Sequence, residues 1–300
     1  MCMMCECMNV LLALCRRSLF YILVSHVCIC LLPICLLPSL SASLSAPNPR
    51  LSPPAPPSRS LLFSLPRHIR REDVPGVPGA FVVTGALTAA ECRQLSGTAE
   101  HMGFMPDHPV GQERPTGIDA CEWLADDGIL GTLFERVRPH LPPLLPAAKA
   151  GKEGAGPAGG AVAGINARWR LFRYGPGAVY RPHIDGSWVG SGIDAGTGEY
   201  VHDPFGDRRS RLTCLVYLNE GFDGGSTTFY IPAAGGAGLE ARGVKPQAGA
   251  VLFFPQGNTA SLVHEGSEVT RGCKYVIRTG EFFKPVMRVA GVMRVGGRGE

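Results

Sequence analysis

Between Cys7 and Arg71 the chain has no acidic residue, although seven arginines fall in the same stretch. The net charge of +4 therefore belongs to the leader, and the remainder is near neutral. The remainder also lacks a basic stripe and has no aromatics interleaved on a cationic face, which argues against a nucleic-acid partner. Cysteine is scarce outside the leader: seven of eleven lie within the first 35 residues, leaving Cys92, Cys121, Cys214 and Cys273 widely spaced. That distribution excludes a disulfide framework. Cys2, Cys5 and Cys7 lack the distant second pair that a closed zinc site requires, and no internal repeat is present.

The leader has an apolar run over residues 18–40 behind Arg16 and Arg17, followed by the small-residue stretch 41–46. This pattern is that of a signal peptide or signal anchor, which places the protein in the secretory pathway or at the endoplasmic reticulum membrane, with membrane contact through this segment only. Arginine, serine and proline without acid also suit an organelle transit peptide, and a misassigned gene start is the third reading. The chain divides into this targeting or anchor segment (1–46), a Pro/Ser-rich linker (47–77), one domain (78–284) and a flexible tail (285–300).

Within the domain, Arg168 to Tyr174, Arg211 to Asn219, Ser226 to Ile231, Gly249 to Pro255 and Lys274 to Phe283 read as short strands rich in β-branched and aromatic residues. Thr88 to Glu91 is a capping box that opens a helix to about Met102, and Ile129 to Val137 suggests a second helix. Residues 146–164, rich in Gly and Ala, read as a flexible excursion. The fold class is mainly β with flanking helices.

His183-Ile184-Asp185 is the only His-x-Asp/Glu triplet among the eight histidines, and His264 follows Asp185 by 79 residues. In an extended strand, residues i and i+2 project to the same side, so His183 and Asp185 reach one metal while Ile184 turns into the opposite packing layer. Two imidazoles and one carboxylate on one face leave the other positions open, which non-haem Fe(II) needs to take a co-substrate and dioxygen together.

An oxoacid co-substrate needs a fixed cation for its far carboxylate, and Lys274 follows His264 by ten residues. Strand alternation puts Lys274, Val276 and Arg278 on one face; Lys274 is the first choice and Arg278 the reserve. Tyr174 and Tyr180 stand nine and three residues before His183, close to the metal strand, where a phenol can donate to a carboxylate or simply pack the sheet. Thr213, Thr227 and Trp188 are further candidates for the pocket wall.

Three blocks carry a resemblance in the right order: Arg168 to Asp185, Arg211 to Phe229 and Val263 to Thr279. They resemble the 2-oxoglutarate and Fe(II)-dependent dioxygenases, in the prolyl 4-hydroxylase-like branch and its plant and algal type. The resemblance covers about residues 78–284 and implies a double-stranded β-helix, or jelly roll, with helices outside one sheet. It implies His183, Asp185 and His264 as iron ligands, Lys274 as partner of the distal 2-oxoglutarate carboxylate and Tyr174 as a second contact. It further implies dioxygen as co-substrate, ascorbate as reductant and hydroxylation of a peptide or small-molecule substrate with decarboxylation of 2-oxoglutarate to succinate. The retained Asp185 argues against the halogenase variant. The segment Val189 to Arg209 is long and polar for a compact prolyl hydroxylase, and loops at the mouth choose the substrate. The alternative is a catalytically inactive jelly-roll module that keeps the metal site as a relic.

Overall fold

In the computed structural model of the chain, residues 68–107, 117–145, 160–194, 196–197, 199–256 and 262–285 are described. The leader, most of the linker, residues 146–159 of the Gly/Ala stretch and all but the first residue of the tail lie outside them. In chain order the elements are β1 (Arg70–Asp73), β2 (Phe81–Thr84), α1 (Ala89–Met102), β3 (Met105–Pro106), β4 (Ile118–Leu124), α2 (Asp127–Val137), β5 (Leu144–Leu145), β6 (Gly160–Ile165), β7 (Arg168–Tyr174) and β8 (Tyr180–His183). There follow β9 (Gly192–Ile193), β10 (Tyr200–Val201), β11 (Arg209–Tyr217), β12 (Asp223–Gly224), β13 (Thr227–Pro232), β14 (Leu239–Val244), β15 (Val251–Pro255), β16 (Val263–Gly266), β17 (Val269–Arg271) and β18 (Lys274–Pro285). No helix among the described residues is long and apolar enough to cross a membrane.

The large sheet runs β1-β2-β15-β11-β18-β7-β4-β3, with β6 beside the far end of β18, and the small sheet runs β14-β13-β16-β8. From β7 to β18 the long strands switch between the sheets: β7, β11, β15 and β18 in the large one, β8, β13, β14 and β16 in the small one. That antiparallel winding is a double-stranded β-helix. Alternation along the large-sheet strands makes two cores. Leu171, Leu212, Cys214, Val216 and Ile277 face the helices, with Trp169 and with Cys92 and Leu95 of α1 and Leu133 of α2. Phe172, Tyr174, Tyr217, Leu252, Phe254 and Val276 face inward, with Phe229 of the small sheet.

The helices are fixed by their ends. Thr88 Oγ1 accepts from the Glu91 amide at 3.2 Å and Glu91 Oε2 accepts from the Thr88 amide at 2.7 Å, a complete capping box at the start of α1. The same Glu91 pairs with Arg136 of α2 at 2.9 Å. Asp126 caps α2 by accepting from Gly128 and Ile129, so this helix begins two residues before the expected Ile129.

Two expectations need correction, and a third segment gains detail. Strand β1 lies inside the stretch read as linker, because Arg70 to Asp73 pair with Thr84 to Phe81 and extend the sheet. Strand β6 occupies the end of the stretch read as a flexible excursion: small residues give it little sequence signal, and its pairing with the end of β18 holds it. The segment Val189 to Arg209 is closed at its base by the Val189–Arg209 bridge and contains the β9–β10 hairpin.

Candidate metal centre

His183, the last residue of β8, lies directly across the antiparallel ladder from His264 of β16. Asp185 follows in the connection just beyond β8. Possible ligand atoms of His183, Asp185 and His264 all lie within 4.8 Å of one another. Their meeting depends on the β8–β16 pairing, which brings together residues that are distant in sequence. Ile184 does not turn into a packing layer as strand alternation required; it is 55% exposed because β8 has ended.

Each imidazole is oriented through its other nitrogen. His183 Nδ1 donates to the Arg181 carbonyl at 2.9 Å and His264 Nδ1 to the Leu262 carbonyl at 3.0 Å. A carbonyl only accepts, so these bonds leave both Nε2 lone pairs for a metal. Burial pulls the His264 pKa down to about 4, against the opposing pull of Asp185, and its ring is neutral near neutral pH. Burial alone would raise the Asp185 carboxyl, but Arg278 and the two imidazoles outweigh it and hold the group far below the ordinary carboxylate range. Thr213 Oγ1, from β11 in the opposite sheet, donates to Asp185 Oδ2 at 2.7 Å, and Arg278 Nη2 donates to Asp185 Oδ1. Two nitrogens and one anionic oxygen, with all three side chains anchored, form a donor set that fits Fe(II).

The triad opens onto a pocket that extends between the sheets to Lys274. Lys274 is 2% exposed, its Nζ donates to the Gly225 carbonyl at 2.7 Å, and the Tyr174 ring centroid lies 4.9 Å away. Burial, the sole cause acting on this ammonium, lowers its pKa to about 7. Gly225 adopts φ +64°, and a Cβ there would stand 3.2 Å from Lys274 Cδ and 3.0 Å from Val269 Cγ2. Glycine is what lets the carbonyl meet the ammonium. Tyr174 is buried, and burial pushes its phenol well above the usual value. Tyr180 lines the same pocket with its ring 4.8 Å from that of His183.

The structure thus places the triad, Lys274, Arg278, Tyr174 and Tyr180 around one pocket. Thr227 lines it as well, with its hydroxyl 2.8 Å from that of Tyr217. Trp188 is 45% exposed and does not line the pocket. The carboxylate-holding roles of Thr213 and Arg278 were missed, since neither sits in a local motif with Asp185; only strand phase, which puts both on the inner face, hinted at them.

Residues 169–279 match the family model of the 2OG-Fe(II) oxygenase superfamily. This segment belongs to that superfamily. The 2OG-Fe(II) oxygenase chemistry uses Fe(II), 2-oxoglutarate and dioxygen, and the His183, Asp185 and His264 cluster is its iron site in this chain. No curated protein sequence matches the chain. Among solved structures, a prolyl-4-hydroxylase from Pseudomonas putida is similar at 16% identity, over 73% of this chain and 93% of that one, with TM-score 0.40. A viral collagen prolyl hydroxylase from Paramecium Bursaria Chlorella virus-1, in complex with 2OG, is similar at 16% identity over 73% and 96%, with TM-score 0.39. A prolyl hydroxylase from Trichoplax adhaerens, in complex with a hypoxia inducible factor oxygen degradation domain peptide fragment, is similar at 16% identity over 71% and 83%, with TM-score 0.41.

Proposed function

We propose that this oxygenase hydroxylates a peptidyl side chain, one oxygen atom of dioxygen entering the new hydroxyl and the other entering succinate as 2-oxoglutarate loses CO2. The observation that carries the reading is the buried Lys274 ammonium at one end of the pocket, with the triad at the other. A dicarboxylate co-substrate would bridge them, its distal carboxylate on Lys274. Bound Fe(II) supplies oxygen activation coupled to oxidation of the co-substrate; His183, Asp185 and His264 hold it, and Tyr174 adds a phenol beside the distal carboxylate. Phe172, Leu215 and Val276 in the pocket wall limit water around the reacting groups. Ascorbate serves as the reductant that keeps the metal ferrous. The peptidyl class is favoured by Ile184, exposed at 55% directly between the ligands His183 and Asp185, an apolar side chain that an extended peptide entering the site would cover.

The test is anaerobic addition of 2-oxoglutarate to the full-length, Fe(II)-loaded chain, with His264→Ala as control, followed by aerobic turnover with proline- and lysine-containing peptides. A visible metal-to-ligand band in the wild type and not in the control, with succinate formed and a peptide gaining one oxygen, is the expected result. Folded, iron-loaded protein that shows no band and forms no succinate would favour the relic module. Asp185→Ala is expected to abolish hydroxylation while the far-ultraviolet circular dichroism stays that of the wild type, and full activity in that variant would sink the triad.

A further inference from the structure

The two Asp185 oxygens are held by unequal donors, and the difference bears on the metal. Arg278 Nη2 donates to Oδ1, while the neutral Thr213 hydroxyl donates to Oδ2. The donors stand on neighbouring strands of the large sheet, β18 and β11, so the carboxylate plane is fixed from one rigid surface. Both oxygens also face the imidazoles at similar distances, Oδ1 at 3.5 Å from His183 Nε2 and Oδ2 at 3.7 Å from His264 Nε2. The imidazole geometry therefore gives no reason for a metal to take one oxygen and leave the other. The donors supply that reason, since Arg278 brings a full opposite charge to Oδ1 in an ion pair, whereas the Thr213 hydroxyl brings none to Oδ2.

We propose that Arg278 is a positioning residue for the metal: it retains Asp185 Oδ1, leaves Oδ2 as the single ligating oxygen, and so keeps a coordination position open. The inference rests on the metal centre described above and concerns this chain's own carboxylate. A carboxylate that chelated through both oxygens would fill a position that a chelating oxoacid and dioxygen together require. It also assigns the two pocket cations to different tasks, Arg278 to the metal ligand and Lys274 to the co-substrate.

The test counts metal-bound water, a readout independent of turnover. Full-length protein is loaded with Mn(II), and broadening of its electron paramagnetic resonance lines in oxygen-17 water is compared for wild type, Arg278→Met and Arg278→Lys. Methionine is close to arginine in length and has neither charge nor donor; lysine restores both. The expected result is one bound water fewer in the methionine variant than in the wild type, with the count restored by lysine and Mn(II) bound at least as tightly once the cation is gone. Equal counts in wild type and a folded, Mn(II)-binding methionine variant would overturn the role of Arg278. If the methionine variant does not fold, the wild-type count decides: a full open face of waters supports the proposal, and a face one water short means that Asp185 chelates despite Arg278 and overturns it. Wild type that binds no Mn(II) overturns the metal centre itself, and this inference with it.

Discussion

Lys274 is an ammonium placed where it is costly to keep charged, and that sets a measurable pH dependence. Burial brings it down to about 7. Below that pH the pocket already carries the positive charge that a dicarboxylate needs. Above it the amine is neutral, and co-substrate binding must take a proton from solvent. The dissociation constant of 2-oxoglutarate is therefore expected to be flat below about pH 7 and to weaken up to about tenfold per pH unit above it. Titration of the visible 2-oxoglutarate band between about pH 6 and about pH 9 reads this directly. In Lys274→Met the affinity should be weaker throughout and the slope absent. A wild-type affinity that stays constant across the range would show that the site does not take up a proton at Lys274.

At the scale of elements, Glu91 joins two functions: it completes the capping box of α1 and pairs with Arg136 of α2, with side-chain exposures of 6% and 8%. Thr88→Ala removes only the cap and is expected to cost about 1 kcal/mol. Glu91→Ala removes half of the cap and also strips a buried guanidinium of its carboxylate, for an expected loss of about 3–5 kcal/mol. Urea unfolding of the two variants tests the ranking, and equal losses would mean that the ion pair adds nothing beyond the cap. The start of α1 was legible in the sequence because its capping box is a local code, whereas the Asp126 cap of α2 was not read. Strand β7 was also read at its full length, since Trp169, Leu171 and Phe172 supply enough apolar signal on both faces. Strands β14 and β16 were not, because Leu239–Val244 is largely exposed and polar and Val263–Gly266 spans only four residues. Strand β14 exists through its hairpin with β13, and β16 through pairing with β13 and with the distant β8. For the same reason the ligands were legible as residue types at a spacing, whereas the Thr213 and Arg278 bonds to Asp185 required the sheets to close.

For the whole molecule, the helix-facing core holds, besides the ion-paired Glu91, an acid that the site does not use. Glu281 on β18 lies between Leu212 of β11 and Ile165 of β6 and is 0% exposed. Burial pushes its carboxyl well above the usual range, with the Gly164 amide opposing only in part, and the Cys214 thiol in the same core is pushed up by its own burial and then by Glu281. The folded state therefore holds a proton that the unfolded chain releases near pH 4.3 or so. The stability associated with that proton is fully present below the unfolded value and is lost as pH rises toward the folded one. Between the two values the loss is about 1.4 kcal/mol per pH unit for this group. Glu281→Gln keeps the shape and removes the titration. The unfolding free energies of wild type and variant, measured in urea from about pH 5 to about pH 8, should diverge with rising pH, the variant gaining on the wild type. Parallel curves would mean that Glu281 ionises in the folded core without penalty, and the packing of β6 against β18 over that carboxyl would then have to admit water.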